Sequence, residues 1–361
     1  MPSGCGHGTF ASCLILQTHI LDVSFDNQII EDARVLTADY LPNRMVHRDN
    51  ERQQIARNLE PILEGQPPLD MLLYGPPGTG KTAMANYVIK QLHKHSSELE
   101  SSTIDCFSQP SRFELFYNLV RDTGEFVTRD GTSTEALIDK FEEKARRRPI
   151  VVVVDEIDQL TNEEVLFELS RFRDVGLIMI SNRRDVFAHL DDRVRSRFSE
   201  RDELKFSPYS NDEMSDILND RREYGLKPEA ASDKVLEAIA ERSAGDARVA
   251  IGSLRIAAQK SENQDLEEIK MEVVENSMED AIEEEQSLSL EKLNRHQRAM
   301  YDILKEENKD MKSGELFEQY REEVEDPVVK RTLRRYLKKM EDYGLIKSKG
   351  KKRGRKYSLT S

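Results

Sequence analysis

"LDMLLYGPPGTGKT", Leu69–Thr82, decides the fold. An apolar run enters a turn holding Gly75, Gly78 and Gly80, and a helix-compatible segment follows Lys81. Strand, glycine-rich loop and helix form the setting in which GxxxxGK[ST] makes a phosphate-binding loop. Glycines 75, 78 and 80, with Thr79 between them, let the backbone curl until its N–H groups point inward. Those donors and the N-terminus of the next helix hold phosphate oxygens. Lys81 sets a point charge on the β- and γ-phosphates of ATP or ADP, and the Thr82 hydroxyl suits Mg²⁺.

Outward from this loop, "IVVVVDE" (150–156) and "GLIMISN" (176–182) read as two further strands, the valine run marking the interior of a parallel sheet. Helical stretches separate the strands, so the pattern is β-α-β-α. Asp155 and Glu156 end the valine strand about seventy residues after the loop, as a Walker B pair requires. Asp155 is expected to hold Mg²⁺, mainly through water, and Glu156 to polarise the attacking water as general base. Asn182, at the end of the third strand, is placed to orient the γ-phosphate or the water. After Pro208 the pattern becomes helical through Asp212–Glu223, Asp233–Arg242 and Ala247–Lys260, a small lid; 277–293 reads as helix plus linker.

A chain of 361 residues is too long for one core. No stretch approaches the length of a membrane-spanning helix. Cys5, Cys13 and Cys106 are too scattered for a disulfide framework, which fits a reducing cytosol. The net charge of −14 argues against a nucleic-acid partner until its distribution is considered. Residues 330–356 carry thirteen Lys/Arg against Glu341 and Asp342, a local +11 that leaves −25 on the remainder. An acidic body with one basic end predicts an ATPase joined to a nucleic-acid-binding domain.

Within the basic end, 296–305 and 313–323 read as helices, and Pro327 suits the first turn of a third. Val329, Leu333, Leu337 and Met340 form an apolar stripe that leaves Lys330, Arg331, Arg334, Arg335, Lys338 and Lys339 on the other faces. "LIKSKGKKRGRKYSL" (345–359) then reads as two strands around a basic turn bearing Lys351, Lys352, Arg353 and Arg355. Helix-turn-helix plus wing places one helix in the major groove and the wing on backbone or minor groove.

Together the motifs resemble the archaeal replication initiators related to origin recognition complex subunit one and cell division control protein six. "DYLPNRMVHRDNE" (39–51), "GTSTEAL" (131–137), "VDEIDQL" (154–160), "FSPYSNDEMSDILNDR" (206–221) and "GDARVAIGSLRIA" (245–257) occur in the family's order, across roughly Ala33 to Tyr357. The resemblance implies an AAA+ P-loop domain of α/β class with a parallel sheet, a helical lid and a C-terminal winged helix. It implies that Tyr209 and Arg221 contact the nucleotide and that Arg248 is the sensor 2 arginine reaching the γ-phosphate. Arg193 matches the family's arginine finger, whereas the related bacterial motif selects Arg197; such a finger acts on a neighbouring subunit's ATP. The family's helical insertion that touches origin DNA falls near residues 120–135, where this chain departs with "RDTGEFVTRDG".

The expected organisation is a disordered or mis-started tail over 1–32, an ATPase core over 33–208, a lid over 209–282 and a winged helix over 283–361. The expected function is ATP-dependent initiation of replication on double-stranded origin DNA, with slow hydrolysis and a cytoplasmic, nucleoid-associated location. Self-association under nucleotide control and a replicative helicase are the further partners implied. Two other readings share the core: a DNA-binding regulator with structural nucleotide, and a clamp-loader or branch-migration ATPase.

Overall fold

Successive side chains on a strand point to opposite sides, so four consecutive valines must feed two layers. Val151 and Val153 pack with Ile55, Leu59, Met84 and Val88, whereas Val152 and Val154 pack with Phe116, Leu119, Phe141 and Leu166. All four valines are fully buried, each contributing roughly 1.5–3 kcal/mol of hydrophobic free energy. The computed structural model describes residues 29–361 except 97–98, 107–110, 161–163, 187–189, 191, 197–201, 292, 351–353 and 361.

The central sheet is parallel, with strands β1 (Met71–Tyr74), β2 (Glu100–Asp105), β3 (Ile150–Asp155), β4 (Val175–Ser181) and β5 (Glu203–Lys205) in the order β2-β3-β4-β1-β5. The sequence pattern points to β1, β3 and β4, the strands buried in the middle. The edge strands β2 and β5 read "ESSTID" and "ELK" and lack the apolar run that identifies a central strand. Helices Asp49–Leu59 and Lys81–His95 cover one face; Arg112–Asp122, Thr134–Arg147 and Glu164–Ser170 cover the other. Between Asp122 and Thr134 the chain runs through turns and irregular segments with no helix, where its sequence departs from the family's helical insertion, and Phe126 stands 86% exposed.

Four helices, Asn211–Gly225, Asp233–Arg242, Ala247–Asn263 and Met271–Glu291, form the lid around Leu218, Ile239, Leu254 and Val274. Ile29 and Ile30 belong to that same core: Glu262 accepts from both backbone N–H groups, and Ile30 bridges Leu226. The tail expected to end at residue 32 is therefore already packed at Ile29; the signal was too short to detect. Met271–Glu291 is one continuous helix through the expected helix-plus-linker segment, since nothing between 277 and 291 is a Gly or Pro that would break it.

The basic end folds as helices Arg295–Glu307, Ser313–Glu323 and Lys330–Asp342 with a sheet of β6 (Met311–Lys312), β7 (Ile346–Lys349) and β8 (Lys356–Leu359), ordered β6-β8-β7. This is the winged-helix arrangement, and the third helix occupies the place of the recognition helix in that motif and is called so below. Its core holds Ile303, Leu316, Tyr320, Leu333, Leu337 and Met340. Two expectations fail here. The helix begins at Lys330 rather than at Pro327, and Val329, its N-cap, is 69% exposed instead of joining the stripe. The inner face is completed by Tyr336, on the turn after Leu333.

Candidate nucleotide site

Parallel strands deliver their C-terminal ends to one edge of a sheet, where α/β folds hold their ligands. The adjacent strands β1, β4 and β3 bring the loop Gly75–Thr82, Asn182 and the Asp155–Glu156 pair together there. These groups line a cavity of about 410 Å³, a size suited to a small ligand.

The loop is shaped by contacts as well as by backbone freedom. Gly78 has φ +69°, and a Cβ there would lie 1.8 Å from the Asp246 carboxylate; Gly80 has φ +85°, and a Cβ there would lie 2.6 Å from the Tyr209 hydroxyl. The Ala247 N–H also donates to the Gly78 carbonyl at 3.0 Å. The lid thus rests directly on the loop. Thr79 closes the turn by donating its hydroxyl to the Pro76 carbonyl at 2.8 Å.

Lys81 heads the helix that follows. Its ammonium donates to the carbonyls of Gly75 (2.7 Å) and Pro76 (2.8 Å) and to Asn182 Oδ1 (3.1 Å). Burial draws its pKa down to about 8, against the pull of Asp155 and Asp158 in the other direction. Thr82 donates its hydroxyl to Asp155 Oδ2 at 2.7 Å, while Asp155 Oδ1 accepts from the Glu156 N–H at 2.8 Å. Burial raises the pKa of Asp155, with the Thr82 bond acting against it. Asp158 accepts from the Asn182 N–H (3.1 Å) and Ser181 hydroxyl (3.2 Å), fixing the end of β4. Glu156 sits in the left-handed region at φ 54° and accepts from the Tyr343 hydroxyl at 3.0 Å.

Tyr209 and Arg221 both line the cavity. Tyr209 is buried with the Arg48 guanidinium 4.2 Å from its ring centre. Arg221 is buried and donates to the backbone carbonyls of Val35 (2.9 Å) and Tyr40 (3.2 Å), so it anchors the segment that forms the outer wall. Arg248 also lines the cavity but is engaged by Asp246 at 3.0 Å and Glu285 at 3.4 Å. Arg193 lies on the exposed part of the short helix Asp192–Arg195, its guanidinium 3.6 Å from the Phe167 ring centre; Arg197 lies outside the described residues.

Two groups fit Mg²⁺: the Thr82 hydroxyl and the Asp155 carboxylate, paired at the mouth of the loop. They are too few to form a cage alone, in keeping with an ion that takes its other oxygens from phosphate and water. No cluster of three metal-binding side chains occurs among the described residues.

On the recognition helix, Lys330, Arg331, Arg334 and Arg335 are exposed. Lys338 is half-buried and paired with Glu341 (3.2 Å) and Asp342 (2.9 Å). Lys339, expected on an outer face, is only 7% exposed, because that end of the helix abuts the ATPase body. Arg355 is half-buried beside β8; Lys351, Lys352 and Arg353 lie outside the described residues. Sequence reasoning missed Tyr343, Asp246, Asp158 and Glu285. Asp246 alone left a local signal, as an N-cap whose carboxylate accepts from the Arg248 N–H at 2.9 Å. No helix among the described residues is long and apolar enough to cross a membrane.

Comparison with known proteins accords with this architecture. The family described as "AAA domain" matches residues 68–187, and that described as "Cdc6 AAA+ ATPase-type lid domain" matches residues 215–279. The chain is 34% identical over 336 residues to ORC1-type DNA replication protein 9 of Halobacterium salinarum, covering 92% of this chain and 94% of that one. It is 28% identical over 355 residues to ORC1-type DNA replication protein 1 of Methanothermobacter thermautotrophicus, covering 92% of each. Among solved structures, the Aeropyrum pernix ORC1 protein in complex with DNA superposes with a TM-score of 0.75 at 26% identity, covering 92% of this chain and 94% of that chain.

Proposed function

The chain belongs to the ORC1-type family of DNA replication proteins, which are AAA+ ATPases, and on that premise we propose that it initiates replication as an ATP-controlled binder of duplex origin DNA. The observation that carries this reading is the convergence of Lys81, Thr82, Asp155, Glu156 and Asn182 on one cavity roofed by the lid and reached by the winged helix. The DNA complex of the similar Aeropyrum pernix ORC1 protein supports the assignment of DNA as partner.

Phosphate groups enter the loop, where the inward N–H groups hold them and the Lys81 ammonium exchanges the carbonyls of Gly75 and Pro76 for phosphate oxygens. Thr82 and Asp155 would hold Mg²⁺, which when bound would supply neutralisation of the phosphate charge. Glu156 takes a proton from the attacking water, and Asn182 orients that water or the γ-phosphate. Arg248 leaves Asp246 and Glu285 to reach the γ-phosphate, which closes the lid and makes the closed state depend on ATP. Tyr209 and the wall held by Arg221 enclose the base and ribose. Hydrolysis is slow and resets the switch.

Arg193 or Arg197 serves as the finger for a neighbouring subunit in a nucleotide-dependent assembly. Lys330, Arg331, Arg334, Arg335, Lys338 and the wing residues Lys351, Lys352, Arg353 and Arg355 contact the duplex, largely through phosphate. The protein then works in the cytoplasm at the nucleoid, and a replicative helicase is its downstream partner.

Binding of a fluorescent ATP analogue and multiple-turnover hydrolysis test the site. Lys81→Ala should abolish binding at micromolar nucleotide. Glu156→Gln should bind normally and hydrolyse about 10²–10⁴-fold more slowly. Retained binding in Lys81→Ala would show that phosphate is held elsewhere. Undiminished hydrolysis in Glu156→Gln would remove Glu156 as general base.

A further inference from the structure

The outer face of the recognition helix is turned toward the ATPase body. Side chains rotate by about 100° per residue along a helix. With Leu333, Tyr336, Leu337 and Met340 turned inward, the middle of the opposite face carries Arg331, Arg335, Lys338 and Asp342. These four residues share a cavity of about 460 Å³ with Asp158 and Arg183 of the ATPase body. At the C-terminal end of the helix the two bodies touch. Arg183 Nη1 lies 3.3 Å from Asp342 Oδ2, Lys339 is buried, and the Tyr343 hydroxyl donates to Glu156 Oε2 at 3.0 Å. Tyr343 also forms part of the nucleotide cavity wall.

That cavity cannot admit a double helix whose major groove alone is about 12 Å wide. The basic outer face therefore has two alternative partners, the acidic edge of the ATPase body or DNA. The contact made in the first state falls on the residue that the proposed mechanism uses as general base. A carboxylate must present an oxygen to the water at about 2.6–3.2 Å. The Tyr343 hydroxyl engages one Glu156 oxygen and fixes the direction of the side chain.

We propose that Tyr343 is a positioning residue that restrains Glu156, so that docking of the recognition helix on the ATPase body holds hydrolysis back and duplex binding by that helix releases it. This rests on the reading of Glu156 as general base given above. The coupling is reciprocal: whatever favours the docked state weakens duplex binding by the same factor.

The test is steady-state ATP turnover by the full chain, with and without a duplex of unselected sequence at low salt. Tyr343→Phe keeps the ring and removes only the hydroxyl. Its kcat without DNA should rise about tenfold, the effect of losing one hydrogen bond to a charged group. Its KM for ATP should stay unchanged and its stimulation by duplex should shrink. Asp342→Arg, which sets like charges against Arg183, should likewise raise duplex-free turnover. Turnover in Tyr343→Phe at or below wild type, or undiminished stimulation by duplex, overturns the proposal. Glu156→Gln in the Tyr343→Phe background separates the two levels. If it abolishes turnover while Tyr343→Phe alone is silent, only the restraint fails. If turnover persists, Glu156 is not the base, and both readings fall.

Discussion

Lys81 is an ammonium group with 6% of its surface exposed, and burial draws its pKa from 10.5 to about 8. Between those values the unfolded chain binds the proton more readily than the folded one, so this group's contribution to stability rises as pH goes from about 8 toward 10.5. ATP reverses the balance, because bound phosphate favours the charged form. At pH 8 to 8.5, ATP binding should therefore take up a fraction of a proton. Calorimetry in two buffers of different ionisation enthalpy reads this directly; equal binding enthalpies in both would contradict it. Gly78 gives a second prediction at this scale. An alanine there costs roughly 1–2 kcal/mol in the left-handed region and drives its Cβ into Asp246. Gly78→Ala should weaken ATP binding by about tenfold or more in equilibrium titration, and unchanged affinity would show that the lid does not depend on this contact. Residues tied to a local pattern, such as Lys81, Thr82 and Asp155, are legible in the sequence. Arg221 is not: its spacing suits a solvated face, and only the fold shows that it holds the carbonyls of Val35 and Tyr40.

At the scale of elements, legibility follows burial. β1, β3 and β4 lie inside the sheet and announce themselves as apolar runs, whereas β2 and β5 at its edges do not. The lid helices Asn211–Gly225 and Ala247–Asn263 carry cap signals at Ser210 and Asp246, so their starts can be read. The start of the recognition helix at Lys330 is not legible, because Pro327 is compatible with a first turn but is not obliged to begin one. That helix also yields a prediction. Arg334 is exposed beside the face turned toward the ATPase body. Arg334→Ala should weaken duplex binding similarly across sequences and reduce the magnitude of the log–log salt slope by about 1. Titration against short duplexes at several salt concentrations measures it; an unchanged slope would remove Arg334 from the phosphate contacts.

At the scale of the molecule, the charge asymmetry has a structural counterpart. The +11 end is packed by its recognition helix against Asp158 and Arg183 at the edge of the acidic body. The pairing of Tyr343 with Glu156 spans 187 residues, and no local sequence pattern encodes a contact at that distance. What the sequence does carry is the order of the motifs, and that order sufficed for the α/β core, the helical lid and the winged helix. The central claim, that this chain is an ATP-controlled binder of origin DNA, is tested most directly by genome-wide crosslinking of tagged wild type beside Lys81→Ala, with the bound fragments mapped. Sharp enrichment of the wild type at repeats next to a replication start, lost in Lys81→Ala at equal protein level, is the expected result. Diffuse or promoter-centred binding, or a pattern unaltered by Lys81→Ala, would contradict it.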